Sequence, residues 1–164
     1  MQANIQIDDM DARILSAMSG DSRRSYAEVG TEVGLSTAAV HERVRKMLER
    51  GVIRHFSISV DPQQVGLSFT AFVAIRIDSD AHCRRVAPAL RDIPEVQELH
   101  SVAGEYDFLA KIRTTHARAL EDVLYRIKAI PGVARTTSTV VLNTEFEDRP
   151  LSLARPASGT EETP

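Results

Sequence analysis

A repeat in the second half of this 164-residue chain constrains the fold more than any other feature of the sequence. The segment Ile-Pro-Glu-Val at 93–96 recurs as Ile-Pro-Gly-Val at 130–133, a shift of 37 residues (130 − 93). The same shift places Ile75 on Ile112, so the similarity extends over whole supersecondary units. Each copy has the pattern strand, helix, strand. The predicted strands are 69–77, 96–102, 106–113 and 133–142, and the predicted helices are 82–91 and 116–129.

Two such copies in tandem predict an α+β fold, the ferredoxin-like βαββαβ sandwich, with four antiparallel strands and both helices on one face. The strand at 69–77 has apolar residues on both of its faces: Val73 and Ile75 lie on one face, and Phe72 and Ala74 lie on the other. A sheet that is apolar on both faces is buried on both. Because no further predicted element covers the second face, we expect a homodimer in which another copy covers it.

Residues 25–50 carry the pattern of two short helices joined by a tight turn. Ser25 followed by Glu28 is a capping-box pattern, Gly34 suits a sharp reversal, and Ser36 suits the cap of the second helix. A preceding helix, from Asp8 to about residue 20, supports the pair. Two helices that cross through a short turn are typical of a DNA-reading helix-turn-helix. The ordinary alternative is a helical hairpin whose charges are only solvated.

The second helix of this pair has an apolar side and a polar, basic side. Four apolar residues are predicted to point inward: Val40, Val44, Met47 and Leu48. From residue 36 to residue 54 there are five basic and two acidic residues, which favours double-stranded DNA as a partner despite a net charge of −3 for the whole chain. The helix N-terminus suits a phosphate, and the outward side chains suit base edges and phosphates. The predicted DNA-binding residues are Ser36, Thr37, Ala38, His41, Glu42, Arg43, Arg45 and Lys46.

The sequence divides into four predicted segments. They are a helix-turn-helix (winged-helix-like) domain at 1–54, a linker strand at 55–66, the ferredoxin-like domain at 67–150 and a disordered tail at 151–164. The single cysteine, Cys83, allows no internal disulfide, and we expect it to be a small, partly buried residue. No stretch approaches the ~20 apolar residues of a membrane span, so we expect a cytoplasmic protein without a membrane partner. No metal-ligand spacing occurs, and we expect no metal or cofactor.

Several short motifs in order resemble one family. They are Ile-Asp-Asp-Met-Asp-Ala-Arg-Ile-Leu at 7–15, Gly-Leu-Ser at 34–36, Arg-Val at 43–44, Gly-Val-Ile at 51–53, and Val-Ala-Gly-Glu-Tyr-Asp at 102–107. Over about residues 7–149 the chain resembles the Lrp/AsnC (feast/famine) transcription regulators. The resemblance implies a DNA-binding domain, a ligand-sensing domain, dimers that assemble into octamers, and regulation by an amino acid or related metabolite. Met47 stands where the family pattern is often basic or polar, which implies different fine contacts with DNA.

The resemblance also implies an effector site between subunits near the turn at 104–107. Gly104 would let a ligand approach the backbone, where free amides receive a carboxylate, and an acidic residue would meet an α-ammonium group. From chemistry alone, Gly104 can equally be a tight turn and Asp107 a local stabiliser of that turn. The effector-binding residues carried over are Ala103, Gly104, Glu105, Tyr106, Asp107, Thr137 and Ser138.

Two other classes of function compete with this interpretation. An enzyme on the ferredoxin-like domain would use ionisable residues, but none of the candidates forms a nucleophile–base motif, and we expect no catalysis. An architectural protein that compacts DNA without an effector would differ by its low specificity ratio and steep salt dependence. The ionisable candidates are His82, His100, Glu105, Asp107 and His116.

Overall fold

The structure of the protein is a computed structural model that describes residues 7–78 and 80–153, without the side chains of residues 80–83. The chain divides into two compact units. The first contains the residues up to Ser59 together with the segment from Phe146, and the second is Val60–Glu145. The predicted end of the second domain, at 150, therefore lies beyond this unit. Residues 154–164 of the predicted tail and the side chains of His82 and Cys83 lie outside the described residues.

The first unit contains three helices: α1 (Asp9–Ser19), α2 (Tyr26–Val33) and α3 (Thr37–Glu49). Each begins after a predicted cap whose side chain accepts a backbone N–H of the first turn. In α2 the capping box is complete, since the Ser25 amide also donates to Glu28 Oε2 at 2.8 Å. Gly34 ends α2 at φ +79°, which an L side chain rarely adopts, and allows the reversal into α3. The predicted helix-turn-helix is confirmed.

The three helices share one apolar core, in which Val40, Val44 and Met47 are the buried residues of α3. Leu48 was also predicted to point inward, but its side chain is 38% exposed. The buried face of α3 passes through residues 44 and 47, and Leu48 lies about a quarter-turn away from that face around the helix axis. Met47 has no exposed surface. The difference from the family pattern at Met47 therefore affects the core of the unit and leaves the DNA-facing surface unchanged.

The predicted linker strand at 55–66 does not form. Residues 54–61 belong to no helix or strand, and residues 62–66 form a turn. A strand needs a neighbouring backbone for its hydrogen bonds, and the sheet formed by the described strands does not include this segment. Within residues 7–59 and 146–153 no strand occurs at all. The described part of this unit is therefore a three-helix domain that contains the helix-turn-helix.

The second unit is a four-stranded antiparallel sheet in the order β2-β3-β1-β4 with two helices on one face. Its strands are β1 (Phe69–Ile77), β2 (Val96–Ser101), β3 (Phe108–Thr114) and β4 (Val133–Val140), and its helices are α4 (Asp80–Arg91) and α5 (Ala117–Lys128). The βαββαβ order and the internal repeat are confirmed. Ile75 and Ile112, which the repeat makes equivalent, are both fully buried in the core between the sheet and the helices.

The two faces of the sheet differ more than the sequence suggested. On β1 the helix-covered face holds Ala71, Val73, Ile75 and Ile77, all buried. The opposite, open face holds the alternate residues of each strand. There the apolar residues form only a central strip, and Lys111 Nζ binds Glu98 Oε1 at 2.9 Å on neighbouring strands. The expectation that both faces are apolar is met only in part, because charged and hydroxyl side chains such as Lys111, Glu98 and Thr137 also lie on the open face.

Candidate DNA-reading helix and effector turn

One exposed face of α3 brings most of the predicted DNA-binding residues together. Ser36 closes the helix N-terminus by accepting the Ala39 amide at 3.2 Å. Thr37, Ala38 and His41 are exposed in the first turns, and the free amides and the small side chains of Thr37 and Ala38 leave room for a phosphate or a base edge. The remaining residues of this face are Glu42, Arg45 and Lys46, one turn further along.

Arg45 and Glu42 form a surface ion pair on this face. Arg45 Nε and Nη2 donate to the two carboxylate oxygens of Glu42 at 2.9 and 2.6 Å, and Nη1 contacts Glu49. These hydrogen bonds, followed by the positive charges of Arg45 and Lys46, lower the pKa of Glu42 to about 2. Both side chains are exposed and solvent screens their attraction, so either partner can exchange the pair for a contact with DNA at small cost.

Arg43 does not belong with this face. Its Nη1 donates to Asp8 Oδ2 and to Asp11 Oδ1, both at 2.8 Å, and so ties α3 to the start of α1. Arg50 reaches Asp11 from the end of α3 at 3.3 Å. The hydrogen bonds to Asp8 and then to Asp11 raise the pKa of Arg43. In this structure the Arg43 guanidinium therefore links α3 to α1, and its place on DNA stays a prediction.

The turn between β2 and β3 holds most of the predicted effector residues. Ala103, Gly104 and Glu105 are exposed. Gly104 has φ +150°, and a Cβ atom added there would have no other atom within 4 Å, so the backbone of Gly104 is open to a ligand. Asp107 fixes the turn to the end of β1. Its amide donates to the Ile75 carbonyl at 3.0 Å, and its Oδ2 accepts the Ile77 amide at 2.8 Å. One carboxylate oxygen of Asp107 therefore already has the local stabilising role that the sequence left as an alternative.

Tyr106 links the turn to β4. Its hydroxyl lies 3.1 Å from Thr137 Oγ1. Because β1 lies between β3 and β4, the Tyr106 side chain crosses the open face at β1, where the small Ala74 pairs with Thr137. Ser138 pairs with Val73, whose side chain is in the helix-covered core, so Ser138 belongs to the other face. The structure groups Tyr106 and Thr137 and separates Ser138 from them.

Comparison with known proteins gives a family match for each of the two units. Residues 7–48 match the AsnC-type helix-turn-helix domain, and residues 70–151 match the Lrp/AsnC ligand binding domain. The transcriptional regulator LrpA of Mycobacterium tuberculosis is 39% identical over 146 residues, which cover 89% of this chain and 97% of that protein. The chain belongs to the Lrp/AsnC family. It is accordingly a helix-turn-helix transcriptional regulator with a separate ligand-binding domain.

Two solved structures of similar regulators extend the comparison. The feast or famine regulatory protein of M. tuberculosis complexed with L-methionine is 39% identical, with a TM-score of 0.83 and coverage of 88% of this chain and 97% of that one. A transcriptional regulator from Neisseria meningitidis in complex with L-methionine is 26% identical, with a TM-score of 0.83 and coverage of 90% and 97%.

In the described ranges of the present chain, no helix has the length and apolar character to span a membrane.

Arg45→Ala is expected to weaken operator binding about tenfold or more, since a lost arginine contact to a base or phosphate costs about 1–3 kcal/mol. The operator can be obtained by selecting DNA with the wild-type protein, and affinity measured by fluorescence anisotropy at several salt concentrations. Arg118→Ala is the matched control, because Arg118 is an exposed arginine on α5 of the other unit. Equal affinities of the two variants at moderate salt would remove Arg45 from the interface.

Proposed function

We propose that the protein is a sequence-specific regulator whose assembly or DNA affinity is modulated by an amino acid or related small metabolite. The observation that carries the proposal is the joining of an exposed, polar and basic α3 to a ferredoxin-like unit with an open glycine turn. Ser36 and Thr37 receive a phosphate at the N-terminus of α3. Bases are read by the next outward residues, with Arg45 and Lys46 on bases or phosphates.

The effector binds at the turn that contains Gly104. Its carboxylate meets backbone amides there, and its α-ammonium meets Glu105, which is exposed, or the Asp107 oxygen that does not accept the Ile77 amide. The Tyr106 hydroxyl and Thr137 Oγ1 supply a neutral hydrogen-bonding pair beside the turn. L-methionine in the solved complexes of two relatives supports an amino acid as the ligand class.

Regulation proceeds through assembly. A homodimer packs through the open face of the sheet, dimers associate into an octamer, and each dimer presents two copies of α3 to a roughly palindromic site. An effector bound near a subunit boundary changes the relative stability of the assembly states and so the DNA affinity. The protein acts in the cytoplasm on double-stranded DNA, needs no metal or cofactor, and releases the effector unchanged rather than catalysing a reaction.

Thermal stability in the presence of each proteinogenic amino acid and a few keto acids tests the effector. A ligand at 100 times its Kd stabilises the folded state by about 2.7 kcal/mol, which shifts the Tm by several degrees. Hits are then tested for a change in operator affinity and in assembly mass. If no compound changes the Tm, the proposed DNA binding is unaffected, but an architectural DNA-binding protein without an effector becomes the better description.

Tyr106→Phe is the sharpest variant for this site. It retains the ring and removes only the hydroxyl that meets Thr137, so we expect the effector's Kd to rise about five- to tenfold while the ligand-free Tm changes by only a few degrees. Tyr125→Phe is the control, since Tyr125 is 63% exposed on α5 and its hydroxyl contacts only Glu121 among the described residues. If both variants bind the effector as the wild type does, the Tyr106–Thr137 pair is not part of the site.

A further inference from the structure

Two arginines face each other on the open face of the sheet. Arg76 of β1 pairs directly with Arg135 of β4, and both side chains are exposed. Arg76 alternates with Ile75 and Ile77, which are buried on the helix-covered side, so the pair lies on the open face. Like charges at directly opposite positions of an antiparallel pair destabilise a sheet. The arrangement therefore has a cost that the fold itself does not require.

Within residues 7–78 and 80–153 neither arginine makes a hydrogen bond or an ion pair, and the carboxylate beside Arg76, that of Asp107, accepts the Ile77 amide instead. The internal repeat supplies a comparison within the chain. Arg113, one repeat after Arg76, is 9% exposed and its Nε donates to Thr70 Oγ1 at 3.3 Å. The arginine of the second copy is thus packed and partnered, whereas the one in the first copy is exposed within the chain and lies opposite another positive charge.

A β-bulge lies immediately beside the arginines. The register passes from Arg76 opposite Arg135 to Ile77 opposite Val133, which leaves Ala134 as an extra residue on β4. Bulges re-aim neighbouring side chains and are over-represented next to functional sites. Here the bulge bends β4 at the point where Arg135 projects from the open face.

The pair is at the same end of the open face as the effector turn. Arg76 is adjacent to Ile77, whose amide donates to Asp107 Oδ2 at 2.8 Å. Arg135 is two residues from Thr137, so their side chains share a face at about 7 Å along the strand, and Thr137 meets the Tyr106 hydroxyl. The arginines therefore border the ligand site of the proposed function beside Asp107 and Thr137.

We propose that Arg76 and Arg135 bind a carboxylate of the effector, and that the effector is an acidic amino acid or another dicarboxylate. The inference rests on the proposed function, because it needs a ligand at the turn beside the pair. A zwitterionic amino acid has no net charge, so it leaves the two guanidinium charges largely uncompensated. A second carboxylate supplies the missing negative charge and accepts paired N–H bonds from planar guanidinium groups, which suit carboxylates geometrically.

Calorimetric titration of the wild-type protein compares L-aspartate and L-glutamate with their amides L-asparagine and L-glutamine, and with succinate, 2-oxoglutarate and L-methionine. We expect at least one dicarboxylate to bind about tenfold or more tightly than its amide or than methionine, as for loss of a charge-assisted hydrogen bond. If succinate or 2-oxoglutarate equals the acidic amino acids, the site takes dicarboxylates in general. If the amino acids bind more tightly, it also reads the α-ammonium group. Either result supports the inference.

The variants Arg76→Gln and Arg135→Gln test the residues themselves. Each should abolish the preference for acid over amide while leaving the ligand-free Tm unchanged or raised, because the repulsion between the arginines is relieved. A merely structural role would instead lower the Tm and weaken all ligands alike. Arg118→Gln, an exposed arginine on α5, is the matched control and should retain the preference.

The failures of the two proposals are distinct. If methionine or the amides bind the wild type as tightly as the acids do, or if Arg76→Gln and Arg135→Gln behave as Arg118→Gln does, the carboxylate pair is overturned and the effector site remains. If none of these compounds binds but another amino acid raises the Tm in the thermal test, only the carboxylate pair is overturned. If no compound in either experiment binds, the effector half of the proposed function is overturned together with this inference.

Discussion

Gly30→Ala is expected to destabilise the DNA-binding unit by about 3 kcal/mol, at the upper end of the usual cost of overpacking. A Cβ at Gly30 would lie 2.5 Å from the Leu35 carbonyl oxygen. That oxygen belongs to the backbone of the turn between α2 and α3, and the Gly30 carbonyl accepts both the Gly34 and the Leu35 amides at 2.9 and 2.8 Å. The turn cannot move away from the new methyl group without stretching these bonds, so the start of α3 must shift as well.

Hydrogen exchange followed by mass spectrometry measures this effect separately for the two units. We expect faster exchange throughout α1, α2 and α3 in Gly30→Ala, unchanged exchange in the sheet, and loss of operator binding. Gly20→Ala is the matched control. Gly20 has helical φ and ψ and no atom within 4 Å of a built Cβ, so alanine there should be neutral or slightly stabilising. Equal exchange in the two variants would show that the turn accommodates a side chain at Gly30.

Features of the fold that depend on neighbours in sequence could be predicted. The caps at Asp8, Ser25 and Ser36 each satisfy amides of the turn that follows, so residue type and spacing were enough to place all three helix starts. The sheet followed from the 37-residue repeat, because two equivalent strand–helix–strand units have few compact arrangements.

Features that depend on residues distant in sequence could not be predicted. A basic residue on a candidate recognition helix looks the same whether it faces DNA or an acidic partner, and the partners of Arg43 lie 35 and 32 residues away on α1. The linker at 55–66 has the alternation of a strand, but a strand also needs a paired backbone, which the sequence of the segment does not specify.

The candidate effector site shows the same division. The exposure of Gly104 and Glu105 followed from their place in a turn between strands. The contact between Tyr106 and Thr137 depends on β1 lying between β3 and β4, so that a tyrosine crosses a small residue of the central strand. The facing of Arg76 and Arg135 depends on the β1–β4 register and its bulge, which no local pattern encodes. No sequence signal marked these two arginines as a pair.

Arg43→Ala is expected to destabilise the DNA-binding unit by about 2 kcal/mol. Breaking a fully buried ion pair costs about 3–5 kcal/mol. Here the Arg43 side chain is 35% exposed, and Arg50 still reaches Asp11, so the cost is smaller. The remaining cost has two sources: the substitution removes the link between α1 and α3, and it leaves the Asp11 carboxylate, which is only 5% exposed, incompletely paired. Arg45→Ala is the contrasting variant, since its partners Glu42 and Glu49 are exposed, and it should destabilise the unit much less than Arg43→Ala does.

The pKa of Asp8 provides a second measurement of the same link. It lies below the ordinary value because Asp8 accepts the Asp11 amide and, next in size, because Arg43 donates to it. A lowered folded-state pKa stabilises the fold above the unfolded-state value, about 3.9, and this contribution is lost as the pH falls through the folded-state pKa. In Arg43→Ala the pKa of Asp8, followed by NMR, should rise toward its ordinary value without reaching it, since the Asp11 amide remains. In Arg45→Ala it should not move. If Arg43→Ala leaves both the stability and the pKa of Asp8 unchanged but abolishes operator binding, Arg43 belongs to the DNA interface after all.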